Sequence, residues 1–312
     1  MKAGSTLEKV LKEGHKAVTV ELGPPKSANA AVIEKKAGIL KGCADAVNIT
    51  DNQTAVVRMS SLASSVIALR LGLEPVLQMV TRDRNRIALQ SDVLGAAALG
   101  IKNILVLSGD HQKFGNHGGA KNVFDIDSIQ LLSVLRTMRD EKKFQSGDVM
   151  KVEPRLFLGA ACNPFADPLE LSVMRLAKKV RAGADFIQTQ AVFDLERFRE
   201  FMKEVCARGL HEQTAILAGV VPLKSVKAAL HMRDNVAGVG MPDCVIKRME
   251  GASDQKEEGK ALALETIREV LAVPGVRGLH LMAIEWEEAV PELVEKAGLL
   301  PRPTVSQESP GR

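Results

Sequence analysis

Val18-Thr19-Val20-Glu21-Leu22-Gly23-Pro24-Pro25-Lys26 is the stretch that decides the fold. Its first three residues are β-branched, which favours a buried strand. The glycine and the two prolines cannot continue a ladder of hydrogen bonds, so the chain turns there and leaves Glu21 at the end of the strand. A carboxylate is costly in such a place if it is buried without a partner. Glu21 therefore indicates either a chemical role or a salt bridge at a strand end, and both interpretations stay open on this stretch alone.

Strand-like runs of the same kind recur along the chain, and each is followed by apolar residues at helical spacing. Eight strands that alternate with helices in 312 residues favour a (β/α)8 TIM barrel over an open doubly wound sheet. A Rossmann domain is disfavoured because no GxGxxG opens a helix after a strand, and no P-loop is present. The predicted strands are 17–21, 46–50, 75–80, 103–107, 155–160, 185–190, 215–221 and 278–284.

The predicted helices fill the intervals between these strands. They are 27–41 with Ser27 as N-cap, 56–71, 85–99, 126–138, 168–181, 195–207, two helices around a polar break at 251–259, and 287–297. We expect one domain, residues 1–300, and a flexible tail over residues 301–312, because that tail is rich in Pro and Ser.

Composition excludes several classes of function. The net charge of +4 is too small to imply a nucleic-acid partner, and aromatic residues, at 3%, are too few for base stacking. The chain has four cysteines, which are Cys43, Cys162, Cys206 and Cys244. Their spacing is not that of metal ligands, so we expect no metal site and a protein of a reducing compartment. Residues 1–14 lack the apolar core of a signal peptide, and no run reaches the roughly 18 apolar residues of a membrane span. We expect a cytoplasmic protein.

Polar residues stand at most of the predicted strand ends. In a barrel these ends converge on one face, where active sites lie. Any one of these residues could be only a helix cap or a turn residue, but together they predict a polar pocket. They are Glu21, Thr50, Asp51, Asn52, Gln78, Asp110, Asn163 and Gln190.

Charged and histidine-bearing segments lie near the same ends. The run Arg82-Asp83-Arg84-Asn85-Arg86 is either a capped, solvated helix start or an anion site, and both interpretations stay open. His111 and His117 lie in the loop after the fourth strand, where His111 could contact a ligand. His280 lies within the eighth strand and is predicted to be a core histidine whose hydrogen bonds are satisfied.

Four segments resemble motifs of the methylenetetrahydrofolate reductases. Residues 20–26 are similar to that family's Phe-Glu-Phe-Phe-Pro-Pro-Arg, and Leu107-Ser108-Gly109-Asp110 to its Leu-Arg-Gly-Asp. Thr189-Gln190-Ala191-Val192-Phe193-Asp194 resembles Thr-Gln-Phe-Phe-Phe-Asp, and residues 218–223 resemble Pro-Gly-Ile-(Leu/Met)-Pro. The order and spacing of all four agree, from about residue 7 to about residue 300. The resemblance implies a flavin-dependent TIM barrel that reduces 5,10-methylenetetrahydrofolate to 5-methyltetrahydrofolate, in methyl supply to methionine synthesis or the reductive acetyl-CoA pathway.

The resemblance also implies roles for particular residues. Glu21 falls on the general acid, Asp110 on a carboxylate near flavin and pterin, and Gln190 on an amide that binds the pterin. FAD, rather than FMN, is the implied cofactor. His111 is added to its implied contacts because it lies in the same loop as Asp110 and could contact a ligand. The implied contacts are Thr50, Gln78, Asp110, His111, Ala161, Asn163 and Lys179.

Departures from the family pattern concern the electron donor. Ser108 replaces an arginine, Val226 stands where an aromatic residue packs against substrate and nicotinamide, and the eighth strand differs from that of NAD(P)H-using members. The run from Gln78 resembles the branch of acetogens and related anaerobes, in which a separate iron–sulfur subunit often accompanies the reductase. The donor is thus NAD(P)H or a partner protein, and a homo- or hetero-oligomer is expected. Two alternatives stay open: a pterin-binding methyltransferase barrel, and a flavin or folate subunit active only within a larger electron-transfer complex.

Overall fold

A closed barrel of parallel strands forms the centre of the protein. The computed structural model describes residues 1–236 and 238–305, and within them eight strands follow one another around the barrel in chain order. The first strand pairs with both the second and the eighth, which closes the sheet. The predicted (β/α)8 fold is confirmed. The strands are β1 (Ala17–Leu22), β2 (Ala46–Ile49), β3 (Pro75–Val80), β4 (Asn103–Leu107), β5 (Phe157–Cys162), β6 (Phe186–Ala191), β7 (Ala215–Val220) and β8 (Val276–Leu281).

Helices surround the barrel and cover its outer face with apolar side chains. The helices of the described residues are α1 (Thr6–Lys12), α2 (Ala31–Leu40), α3 (Ser61–Arg70), α4 (Arg86–Ala98), α5 (Ser128–Glu141), α6 (Leu169–Ala182), α7 (Leu195–Ala207), α8 (Leu210–Gln213), α9 (Val226–Asn235), α10 (Asp243–Glu250), α11 (Gln255–Ala272) and α12 (Ala289–Lys296). Two 3₁₀ turns, Gln53–Ala55 and Gln112–Phe114, lie in the loops after β2 and β4.

Several predicted helix bounds were wrong. The helix α2 begins at Ala31, because the Asn29 side chain accepts the Ala31 amide hydrogen bond while Ser27 only accepts that of Asn29. The helix α3 begins at Ser61 and not at residue 56. Three helices, α9 to α11, stand where two were predicted, and α11 begins within the predicted polar break because Asp254 caps it. The helix α1 was not predicted.

The lower half of the barrel interior is apolar. The rings of Phe157 and Phe186 stack with their centroids 5.2 Å apart. A Cβ on Gly159 would lie 2.2 Å from the Phe186 ring, so this position has room only for glycine. The residues that fill this part of the interior are Ala17, Ala46, Val76, Leu105, Phe157, Phe186 and Leu217. The bottom of the barrel is therefore closed by side chains, and a ligand has space only at the other end.

The start of the predicted tail packs against the barrel. Arg302 forms an ion pair of 2.6 Å with the buried Asp45 and donates to the Lys16 carbonyl. The remainder of the tail, residues 306–312, lies outside the described residues. Among the described residues, no helix is both long and apolar enough to cross a membrane.

Candidate active site

A cavity of about 290 Å³ opens at the carboxyl ends of β1 to β4. Six of the eight residues expected in the polar pocket line it together: Glu21, Thr50, Asp51, Asn52, Gln78 and Asp110. Its volume is close to the lower end of the range for small-molecule sites. The full lining is Glu21, Thr50, Asp51, Asn52, Gln53, Thr54, Gln78, Val80, Arg82, Leu107, Ser108, Gly109 and Asp110.

Glu21 faces this cavity from the end of β1. Side chains alternate along a strand, so Glu21 lies on the same inner face as Thr19. Burial raises the pKa of Glu21 to about 7. The hydrogen bond from Gln53 Nε2, 3.4 Å long, opposes that rise, and the negative charge of Glu287 adds to it. Glu21 is therefore close to half-protonated at neutral pH, which suits a general acid.

Thr50 presents an unused hydrogen-bonding group to the cavity. Its Oγ1 is buried and has no hydrogen-bond partner within the described residues. A buried hydroxyl without a partner carries a free-energy cost, and a ligand that bonds to it removes that cost. Gln78 reaches the same space from β3 and is largely buried. Both observations fit a polar ligand above these strands.

Asp110 lies at the exposed rim, after a turn that requires glycine. Gly109 has a φ of +85°, and a Cβ there would approach the Cβ of Val80 to 3.0 Å. Arg82 is almost fully buried and fixes the turn, because its Nη1 donates to the Asp110 carbonyl at 3.0 Å. Its Nη2 donates to the Asn52 carbonyl at 3.1 Å, so one guanidinium joins the loops after β2, β3 and β4.

The arginine-rich run after β3 is a capped helix start. Asn85 accepts hydrogen bonds from the Ile87 and Ala88 amides and caps α4. Each arginine of the run has a carboxylate partner: Arg82 pairs with Asp83, Arg84 with Asp51 and Asp92, and Arg86 with Asp125. The geometry thus supports the structural interpretation over the anion site.

Three of the residues expected at the cofactor lie on the β5 side, outside the cavity lining. Lys179 reaches from α6 and donates to the Ala161 carbonyl. Burial lowers the pKa of Lys179, although the nearby Cys162 thiol acts in the opposite direction. Asn163 accepts a hydrogen bond from the Phe165 amide at 2.9 Å, and a Cβ on Gly238 would lie 2.5 Å from the Asn163 Nδ2. Ala161, Asn163 and Lys179 thus form a second group of residues beside the cavity.

Gln190 and His111 also lie outside the cavity lining. Gln190 stands near the end of β6, where the register with β7 shifts between Gln188 and Ala191. A bulge of this kind re-aims the side chain at a barrel rim. His111 is exposed, and its Nδ1 accepts the Lys113 amide hydrogen bond at 3.2 Å, so it caps the second 3₁₀ turn.

A buried polar network below the cavity was not predicted in full. Gln188 Nε2 donates to Thr19 Oγ1 and to Asn48 Oδ1, at 3.0 Å each, and Asn48 Nδ2 donates back to Gln188 at 2.6 Å. His280 Nδ1 lies 3.0 Å from Thr19 Oγ1, and burial lowers the pKa of His280 to about 3. The prediction of a satisfied core histidine is confirmed. Strand alternation from Glu21, Thr50 and Gln190 was the signal that could have found its other members.

The chain resembles known proteins over most of its length. Residues 6–298 match the family model described as methylenetetrahydrofolate reductase. Methylenetetrahydrofolate reductase 1 of Schizosaccharomyces pombe is 27% identical over 209 residues, 64% of this chain and 32% of that protein. A probable methylenetetrahydrofolate reductase (NADPH) of Caenorhabditis elegans is 22% identical over 310 residues, 94% of this chain and 44% of that protein. The chain thus spans less than half the length of these two curated relatives.

A solved structure shares the fold. It is an uncharacterized protein from Clostridium thermocellum, described as binding two copies of 5-methyl-5,6,7,8-tetrahydrofolic acid. It aligns with a TM-score of 0.65 at 16% identity and covers 93% of this chain and 98% of its own. At this identity the likeness shows the barrel fold alone. Since the family model matches nearly the whole sequence, the chain belongs to the methylenetetrahydrofolate reductase family.

Proposed function

We propose that the protein reduces 5,10-methylenetetrahydrofolate to 5-methyltetrahydrofolate with a bound flavin. The observation that carries this proposal is Glu21, a carboxyl group with a pKa of about 7 at the wall of a polar cavity. A proton donor at neutral pH is what the ring opening of the substrate requires. Family membership supports the proposal, and so does the tetrahydrofolate ligand of the protein from Clostridium thermocellum.

Glu21 acts as the general acid. The five-membered ring of the substrate must open before hydride reaches its one-carbon unit. Glu21 holds a proton and gives it to N10, which then leaves, and a cationic N5 iminium forms on the substrate. An ordinary glutamic acid, with a pKa near 4.3, is almost fully ionised at pH 7 and has no proton to give. Burial raises the pKa of Glu21 and so keeps a proton on its carboxyl group near pH 7.

The residues around the cavity fit a flavin. The unpartnered Thr50 hydroxyl and the Gln78 amide offer hydrogen bonds to a ring system, and Gly109 leaves space where a side chain would press on Val80. When bound, reduced flavin supplies the hydride. We assign FAD, which the family resemblance implies; the residues that would hold the part of the dinucleotide beyond the ring system are His111, Ala161, Asn163 and Lys179.

Asp110 and Gln190 complete the substrate site in this proposal. Asp110 places a carboxylate at the rim, where its negative charge stabilises the cationic iminium. Gln190 offers an amide that can donate to and accept from the edge of a pterin. It lies near the end of β6, beside the register shift between Gln188 and Ala191.

Two measurements on the purified protein test this proposal. We expect about one non-covalent FAD per chain, identified after release by denaturation. With a reduced artificial dye as donor, the isolated chain should convert methylenetetrahydrofolate to methyltetrahydrofolate. A colourless protein that takes up neither FAD nor FMN contradicts the flavin assignment and favours a methyltransferase barrel. A flavoprotein that turns over only with an added partner subunit shows that activity requires a larger complex.

A further inference from the structure

A buried ion pair flanks Glu21. Lys36 on α2 lies with its Nζ 2.5 Å from Glu287 Oε1, and Glu287 belongs to the loop after β8. The two side chains are 19% and 7% exposed. Lys36 Nζ also donates to the Gly23 carbonyl at 3.2 Å. Gly23 begins the turn that follows Glu21, and β8 is the neighbour of β1 in the barrel.

Such a pair contributes little to stability, because burying two charges costs about as much free energy as their attraction returns. Its position is more informative than its strength. The same ammonium group holds the turn after Glu21 and anchors the carboxylate whose charge acts on Glu21. Residues 36 and 287 are far apart in the sequence, and they come into contact only because the barrel is closed.

The charges that face Glu21 come from three elements. Glu287 raises its pKa, whereas Lys36 on α2 and Arg58 in the loop after β2 lower it. Arg58 is itself held by the Pro24 carbonyl at 3.1 Å. The same cavity also holds two further acidic side chains, Asp51, which pairs with Arg84, and Asp110 at the exposed rim.

We propose that Lys36 and Glu287 are positioning residues for Glu21, which fix the turn after β1 and set the balance of charge around its carboxyl group. The acid role of Glu21 rests on the proposed function, whereas the relation between the three charges does not. Removal of Glu287 takes away the negative charge that opposes ionisation of Glu21 and leaves the positive charges of Lys36 and Arg58, so it favours the ionised form. Removal of Lys36 favours the protonated form.

Carboxyl-carbon NMR of the full chain, labelled with ¹³C at the glutamate carboxyl groups, tests this relation. The Glu21 signal is the one lost in Glu21→Gln, and its pH titration needs no ligand or turnover. In Glu287→Gln the Glu21 midpoint should move to lower pH, and in Lys36→Met to higher pH, by several tenths of a pH unit. In the double variant it should return close to the wild-type value. The exposed neighbours give matched controls, Glu288→Gln and Lys35→Met, which should leave the midpoint unchanged.

Opposite shifts are the decisive result, because general loosening of the fold moves both variants in the same direction. If one of the two variants fails to fold, the other still tests the relation by itself. An unchanged Glu21 midpoint in both variants, or shifts equal to those of the controls, overturns the inference. If the titrations shift as expected but methylenetetrahydrofolate is not reduced, the proposed function fails while the charge relation stands. If the protein is active, the pH profile of folate reduction should move with the NMR midpoints.

Discussion

The Asp110 carbonyl oxygen accepts a hydrogen bond of 3.0 Å from the Arg82 guanidinium, so a residue in the loop after β3 fixes the loop after β4 that carries the Asp110 carboxylate. The same side chain pairs with Asp83 at 2.7 Å. The hydrogen bond to the Asp83 carboxylate raises the pKa of Arg82, and the negative charges of Asp83, Asp51 and Asp110 act in the same direction. The Arg82 guanidinium thus holds together the loops around the cavity.

Replacement of Arg82 by Gln should loosen this rim. Several buried hydrogen bonds to a charged group are lost, and we expect a loss of about 2–3 kcal/mol in the free energy of unfolding. Urea unfolding measures it. Arg86→Gln is the matched control, because the Arg86–Asp125 pair is exposed, and it should change stability little. Equal stability of Arg82→Gln and the wild type would contradict a structural role for Arg82.

Gly109→Ala should disturb the Asp110 turn. A residue with a Cβ is strained at its φ of +85°, and the added methyl group would lie only 3.0 Å from the Val80 Cβ, so we expect a loss of about 1–3 kcal/mol in the free energy of unfolding. Reconstitution with FAD should weaken as well. Gly118→Ala is the control, since a Cβ there meets no atom within 4 Å. If the two alanine variants unfold at the same urea concentration, the turn does not require glycine.

The raised pKa of Glu21 makes stability depend on pH. The folded-state pKa of about 7 exceeds the reference value of 4.5, so the folded chain holds a proton that the unfolded chain releases between these values. The contribution of Glu21 to stability is complete below pH 4.5 and is lost as the pH rises through 7. Glu21→Gln should therefore be more stable than the wild type at pH 8, by at most about 3 kcal/mol. At pH 4.5 the difference should vanish; a constant difference at both pH values argues against a raised pKa.

Reduction of the bound flavin by NADH should be slow. Val226 is the first residue of α9 and packs in an apolar cluster outside the cavity lining. Its amide donates a hydrogen bond to the Gln255 side chain. The four cysteines, two of them buried, are far apart in the sequence and lack the spacing that binds an iron–sulfur cluster, so we expect electrons to come from a partner protein or a dye. Stopped-flow traces with NADH and with reduced methyl viologen compare the two routes. Rapid bleaching of the flavin at micromolar NADH would refute this prediction.

The sequence predicted the barrel because strand and helix patterns are local. The bounds of β3, β4 and α7 agree with the structure, since turn residues flank these segments on both sides. Helix starts failed where two caps competed, as at Ser27 and Asn29. The cavity could be predicted from Glu21 and Asp110 because a closed barrel brings strand ends together.

Contacts between distant parts of the chain could not be predicted. The pairing of Lys36 with Glu287 depends on how α2 packs beside the loop after β8. The hydrogen bonds that Arg82 donates to the neighbouring loops are likewise visible only in the folded structure. The register shift in β6 beside Gln190 is another feature that no local sequence pattern predicts.

Glu21→Gln, followed through the two half-reactions separately, tests the central claim most directly. The substitution keeps the size of the side chain but removes its transferable proton. Reduction of the flavin by a dye needs no proton at N10 and should proceed at nearly the wild-type rate. Oxidation of the reduced flavin by methylenetetrahydrofolate should fall by roughly 10²–10⁴-fold or more. If both half-reactions slow equally, or if folate reduction persists near the wild-type rate, Glu21 is not the general acid.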